Sequence, residues 1–311
     1  MNSPKKWYSL YGMAAIMVII LVLSVSSGIA TMAVMLTLLI FAALAYSINF
    51  ITGMTGYVSF GHVLLSGSGA YAMAWLVSSY IADPLLGVLF AAATGGVVAF
   101  LTGAVILRLR GVYFAIATLV LVTSVADIIL DLPQLGGATG IYLNLGFNLN
   151  EMYYAAWVLT LVAISLTFFI RRGKLGYALR AIRSDENAAK AVGIDVSRMK
   201  LYVFVISGFF AGAAGAISVW STSAVFDNVV FSIEVSLQIL AMIVIGGMGT
   251  VTGPFIGAVI VYWLYEYFLT VFPGAQLIIL GLLIILVLRF LPGGVVGTIQ
   301  RKVAAARGII E

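Results

Sequence analysis

At 311 residues the chain is 63% hydrophobic and 9% charged, whereas a soluble domain carries about a quarter charged residues. This reads as a polytopic, all-α membrane protein forming one transmembrane domain, residues 1–311. Its formal charge of +5 comes from Lys and Arg at the edges of apolar tracts, which sets orientation and implies no nucleic-acid partner. With no cysteine and a single histidine, His62, the sequence excludes a disulfide framework, a thiol nucleophile and a His- or Cys-built metal site.

In chain order, a basic head, Met1 to Lys6, precedes an apolar run from Tyr11 to Ala30. That run ends in small residues like a signal peptide, but it is too long for one and a second span follows at once, so we read it as an uncleaved first helix. After Lys6 the next basic residues are Arg108 and Arg110, then a dense island at 171–200, then Arg289, Arg301, Lys302 and Arg307. Asp83, Asp127, Asp131, Glu151, Asp227, Glu234 and Glu266 lie in the gaps between these clusters. The alternation makes the basic clusters cytoplasmic and the acidic loops external. Spans of about 20 residues then fit at 11–30, 31–51, 63–82, 85–107, 111–130, 152–170, 201–220, 234–248, 254–272 and 275–291. That is about ten crossings, eight at fewest, with both ends inside; the short span at 234–248 is the weakest.

Three stripes of small residues spaced by four mark close helix contacts. They are Gly95, Ala99 and Gly103; Gly208, Gly212 and Ala216; and Gly249, Gly253 and Gly257. Two Gly-rich stretches carrying hydroxyls break the helical pattern. One holds Gly53, Thr55, Gly56, Tyr57, Ser59, Gly61 and His62, and the other Gly246, Gly247, Gly249 and Thr250. Irregular backbone at membrane depth survives only when buried in protein or lining a cavity. Paired interruptions in two halves also point to a transport path, so these eleven residues are the candidate pathway. His62 alone reads more readily as a packed, hydrogen-bonded residue than as a proton relay. The loop from Asp131 to Glu151 is the longest external one and a candidate contact for an outside partner.

Eight of the sixteen Lys and Arg fall in the 171–200 island, which we read as a cytoplasmic loop. Leu175, Leu179 and Ile182 recur at helical spacing and give a first short helix one apolar face. Ser184 reads as the N-cap of a second, with Asp185 and Glu186 in its first turn and Gly193 as its left-handed terminator. Ala188, Ala189 and Val192 form a flat apolar patch that suits docking of another protein; a solvated loop lying on the membrane surface is the equal alternative. There is no GxxxxGK[ST] phosphate loop, so the chain has no visible means of binding ATP. It also lacks the midplane charge usual in ion-driven carriers. No catalytic constellation is present, and we read a non-enzymatic chain with no cofactor of its own.

Six motifs in order carry a resemblance: Gly56–His62, Leu107–Leu119, Gly176–Arg183 with Glu186–Ala189 and Gly193, Phe209–Gly215, Gly246–Thr250 and Leu291–Gly294. Over residues 30 to 297 the chain resembles the LivM-type permease subunit of branched-chain amino acid ABC transporters. Glu186–Asn187–Ala188–Ala189, with Gly193 beyond, is similar to the EAA-type loop of importer permeases. The resemblance implies that Ser184, Asp185, Glu186, Ala188, Ala189, Val192 and Gly193 form a coupling helix for an ATPase. It further implies a second homologous permease, two ATPase subunits that bind ATP and Mg, an external solute-binding protein, and a lipid setting in the plasma (inner) membrane of a prokaryote. The expected function is a permease subunit of an ATP-driven importer of branched-chain amino acids. The alternatives are urea, short amides or other amino acids as cargo, or a stand-alone secondary amino acid carrier.

Overall fold

The computed structural model describes residues 8–302 except 81, 82, 145, 147, 273 and 292. The basic head Met1 to Lys6, Pro292 of the last motif and Arg307 lie outside the described residues. The helices are α1 (Tyr8–Ser26), α2 (Ile29–Ile48), α3 (His62–Ser79), α4 (Pro84–Ile106), α5 (Val112–Leu130), α6 (Leu149–Arg172), α7 (Lys174–Ser184) and α8 (Glu186–Ala191). They continue as α9 (Val196–Thr222), α10 (Asp227–Val230), α11 (Ile233–Gly246), α12 (Gly253–Val271), α13 (Gln276–Phe290) and α14 (Gly294–Lys302). A single π turn, Asn49–Gly53, extends α2. The strands β1 (Ile141–Tyr142) and β2 (Ala224–Val225) pair antiparallel and pin the long external loop to the connection after α9.

α9 is the axis of the bundle, packed by α2, α3, α4 and α6. Its small residues explain why. A Cβ on Gly95 would strike the backbone of Gly208 and Gly212, and one on Gly69 the backbone of Gly212, so two expected stripes face each other at backbone contact. The third stripe divides: Gly253 and Gly257 lie on α12 against α11, whereas Gly249 sits in the loop before it.

α1 lies at the edge, held by Trp157 Nε1 donating to the Met17 carbonyl (2.9 Å) and the Tyr153 hydroxyl to that of Ile20 (3.3 Å). That register makes α1 antiparallel to α6, so α1 starts at the end of the bundle where α6 delivers the basic island. The α4–α5 turn with Arg108 and Arg110 and the end of α13 with Arg289 share that end, and the acidic loops gather at the other. At the acidic end the Tyr265 hydroxyl donates to Glu234, tying α12 to α11.

Among the described residues nine helices are long and apolar enough to cross a membrane. The expected span missing from this set is 63–82, which is α3. It is buried along most of its length and carries Ser66, Gly67, Ser68 and Gly69; a helix shielded by protein does not need lipid-grade apolarity. It also starts inside the bundle. The Val63 amide donates to Ser236 Oγ (3.4 Å), ten residues from the cytoplasmic end of α11 at Gly246, or about 15 Å at the helical rise.

Candidate functional site

The charged site grows from α8, the second helix of the basic island. Its N-cap is Asp185, whose Oδ1 accepts from the amides of Asn187 (2.8 Å) and Ala188 (3.0 Å). Ser184, expected in that role, instead closes α7. Asp185 wins because its extended backbone aims a carboxylate at free amides on the positive end of the helix dipole. At the other end Gly193 takes φ +84, and the Gly193 and Ile194 amides donate to the carbonyls of Lys190 and Ala189. That is a Schellman ending, as the glycine implied. The expected flat patch is corrected at one position. Ala189 is buried toward α7 and α9, so the exposed apolar surface of this helix is Ala188, Ala191 and Val192, the last 75% exposed.

Glu186 is the hub beneath this surface. It pairs with Lys190 Nζ (3.0 Å), Arg110 Nε (3.4 Å) and Lys200 Nζ (3.6 Å), and accepts from the Tyr57 hydroxyl. Burial alone would raise its carboxyl, but Tyr57, Lys190, Lys200 and Arg110 together hold it down at about 2. Lys200, at the start of the second turn of α9, is 2% exposed; its ammonium lies 4.1 Å from the Tyr57 ring centre and donates to the Leu107 carbonyl (3.1 Å). Arg110 also reaches Asn187 Oδ1 (3.4 Å). One carboxylate thus ties α8 to the α4–α5 turn, to α9 and to the first broken segment. A cavity of about 590 Å³ opens beside it, lined by Tyr57, Phe60, Arg110, Arg183 and Glu186 among others.

The two broken segments meet at this same end, although about 200 residues separate them. Asn49, wholly buried in the π turn, accepts from the Gly249 amide through Oδ1 (2.8 Å) and donates from Nδ2 to the Thr250 carbonyl (3.4 Å). The Tyr46 hydroxyl donates to the Val251 carbonyl (2.6 Å). Gly249 has φ +77, and a Cβ there would strike Gly53 and Arg183, so only glycine permits this approach. From α7, Arg183 Nη1 donates to the carbonyls of Gly53 (2.5 Å) and Met248 (3.3 Å). The Gly53 carbonyl closes the π turn that extends α2, where the helix's partial negative charge collects, and the Met248 carbonyl lies in the loop just past the end of α11. One guanidinium from the basic island therefore joins the ends of both broken segments.

Hydroxyls hold up the chain itself: the expected Thr55 donates to the Ile51 carbonyl (2.6 Å) and Thr250 to that of Gly247 (2.8 Å), and Thr52 and Thr118, not among the expected pathway residues, do the rest. From Tyr57 at the charged hub, residues 58–61 climb back into the bundle. Thr52 Oγ1 donates to the Tyr57 carbonyl (2.9 Å) and accepts from the Ser59 amide (3.4 Å), and Thr118 Oγ1 accepts from the Phe60 amide (3.2 Å). This satisfies irregular backbone at depth. His62 is buried with Nε2 2.6 Å from Ser47 Oγ, and the Ser47 carbonyl accepts from Ser207, a packed and hydrogen-bonded residue as read. Gly53, Thr55, Ser59, Gly61, His62, Gly246 and Gly247 are buried, Tyr57, Gly249 and Thr250 half-buried and Gly56 exposed. Asn49, Arg110, Arg183 and Lys200 are central to the site without having been singled out as site residues. Arg110 and Arg183 lay inside two of the quoted motifs; Asn49 and Lys200 gave no local sign.

A family model described as branched-chain amino acid transport system / permease component matches residues 28–288. The chain is 28% identical to the high-affinity branched-chain amino acid transport system permease protein LivM of Escherichia coli (strain K12), covering 87% of this chain and 72% of that one. It is 26% identical to the probable branched-chain amino acid transport permease protein LivH of Methanocaldococcus jannaschii, covering 85% and 90%. It is also 26% identical to the ribose import permease protein RbsC of Escherichia coli (strain K12), covering 68% and 71%. No solved structure matches.

Proposed function

The chain belongs to the family of permease components of branched-chain amino acid transport systems, and from that premise we propose that it is a pore-forming, non-catalytic subunit of an ATP-driven importer of branched-chain amino acids. Its partners in this reading are a second, homologous permease, two ATPase subunits that carry ATP and Mg, and a solute-binding protein at the acidic face. The setting is the inner membrane of a prokaryote, in keeping with a multi-pass chain whose relatives include both LivM and LivH proteins.

The observation that carries the reading is the double tie beneath α8. α8 offers Ala188, Ala191 and Val192 to the cytosol, Glu186 joins it to Tyr57 and Lys200, and Arg183, two residues before its cap, holds the ends of both broken segments. An ATPase that grips α8 and closes on ATP would draw both segments together, because the same short arm holds them. Their displacement would tilt α2, α3, α11 and α12 between inward- and outward-open arrangements.

Val192→Asp tests this. Val192 is exposed, so the substitution leaves the bundle intact while placing a charge in the docking patch. Expressed with its neighbouring subunits, the variant is expected to reach the membrane, lose ATPase co-purification and lose ATP-driven uptake. Unchanged co-purification and uptake would remove α8 from the coupling path. Ion-gradient uptake by the purified chain alone would favour a stand-alone carrier. The likeness to a ribose permease changes the cargo and leaves this engine the same, so leucine, urea and ribose uptake are measured side by side.

A further inference from the structure

Behind the Arg183 tie, at the cytoplasmic end, lies a small cavity of about 110 Å³. Arg171, Arg180 and Arg183 line it together with Gly176, Gly249 and Thr250, and among the described residues no carboxylate lines it. Arg180 donates from Nη1 to the Arg171 carbonyl (2.8 Å) and stacks over the Tyr177 ring, 4.5 Å from its centre. Arg183 uses only Nη1, for the two carbonyls already described; its Nε and Nη2 have no hydrogen-bond partner among the described residues. Desolvation holds Arg183 below the ordinary guanidinium value, and no acidic group counters it. Glu186 is engaged elsewhere, by Tyr57, Arg110, Lys190 and Lys200.

We propose that this pocket is a phosphate-binding site, filled by the headgroup of an anionic phospholipid or by a free phosphate. Guanidinium forks match phosphate oxygens in geometry as well as charge, and the cavity is of the size of a single phosphate group. Arg171 stands in the last turn of the membrane-spanning α6, so the pocket lies where the hydrocarbon ends and headgroups begin, a setting in which basic pockets between helices take anionic lipid. The site stands on its own geometry and does not depend on the ATPase docking at α8. An occupant would add anionic charge to the guanidinium that holds both broken helices, and so stiffen the arm.

The full chain is placed in nanodiscs of phosphatidylcholine with or without phosphatidylglycerol, and lipid retained after purification is counted by mass spectrometry. A parallel arm in detergent adds inorganic phosphate and follows the melting temperature. Wild type, Arg171→Gln, Arg180→Gln and the charge-keeping Arg180→Lys are compared, with size-exclusion profiles to confirm folding. Each glutamine variant is expected to weaken binding roughly tenfold or more, the loss of one charge-assisted hydrogen bond, while Arg180→Lys retains part of it. Selective phosphatidylglycerol retention lost in the glutamine variants assigns the lipid source. Stabilisation by inorganic phosphate, lost in the same variants without lipid preference, assigns the free anion. Equal behaviour of wild type and both glutamine variants in both arms overturns the site.

Discussion

Replacing Glu186 by Gln should cost more than an ordinary surface ion pair. Arg110 and Lys190 are about half exposed, and such pairs contribute little, about 0–1 kcal/mol each. Lys200 decides the magnitude. It is 2% exposed, and Glu186, itself 15% exposed, is its carboxylate partner. Removing one partner of a buried pair strands the other charge, at about 3–5 kcal/mol. The Tyr57 ring and the Leu107 carbonyl remain to solvate the ammonium, which puts the expected cost near 3 kcal/mol, or roughly 5 °C in melting temperature for a chain of this size.

The assay is thermal melting of the purified chain in nanodiscs, run on Glu186→Gln, Lys200→Met and the double variant. The double variant has no stranded charge, so it should recover at least half of the loss, a coupling of more than about 1 kcal/mol in the cycle. Melting temperatures that simply add would refute a coupled buried pair. The pH dependence has a definite sign. Glu186 titrates in the folded chain at about 2 against an ordinary 4.5, so its contribution is present above pH 4.5 and is lost as pH falls from there toward 2. Between pH 5 and 8 the gap between wild type and Glu186→Gln should stay constant.

Two further substitutions test the frame around the hub. Thr118→Val removes the hydroxyl that accepts from the Phe60 amide at depth and should cost about 1–3 kcal/mol. Faster amide exchange confined to residues 57–61 would accompany it, and unchanged exchange there would contradict the role given to Thr118. Gly212→Val would drive a side chain into the backbone of Ala91 and Gly95 and should abolish the monodisperse folded species. Gly281→Ala on α13, with open space around it, should be tolerated, and equal tolerance of both would show that α4 and α9 do not meet at backbone contact.

What could be read from the chain before folding was whatever is local. Alternating charge located the cytoplasmic end, apolar length located the crossings, and glycine with hydroxyl located the two broken segments. Pairings were not legible, because Asn49 and Gly249 stand about 200 residues apart and nothing near either names the other. Lys200 looked like the last basic residue of a solvated island; only the approach of Tyr57 and Glu186 makes it a buried cation. Ala189 shares its apolar character with Ala188 and Val192, and periodicity within a helix of six residues is too short to say which of them turns inward. The start of α3 was placed by apolar length, whereas Ser236 and Thr118 set its depth by offering hydroxyls to a re-entering backbone.

The central claim, that one arm works both broken helices, is tested most directly by Arg183→Ala in proteoliposomes holding the assembled importer, with ATP hydrolysis and uptake measured on the same sample. The account predicts that ATPase subunits stay bound and hydrolysis continues while uptake falls at least tenfold, with Arg183→Lys restoring part of it. Uptake that keeps its wild-type ratio to hydrolysis would show that the guanidinium between Gly53 and Met248 carries no motion, and would contradict the account.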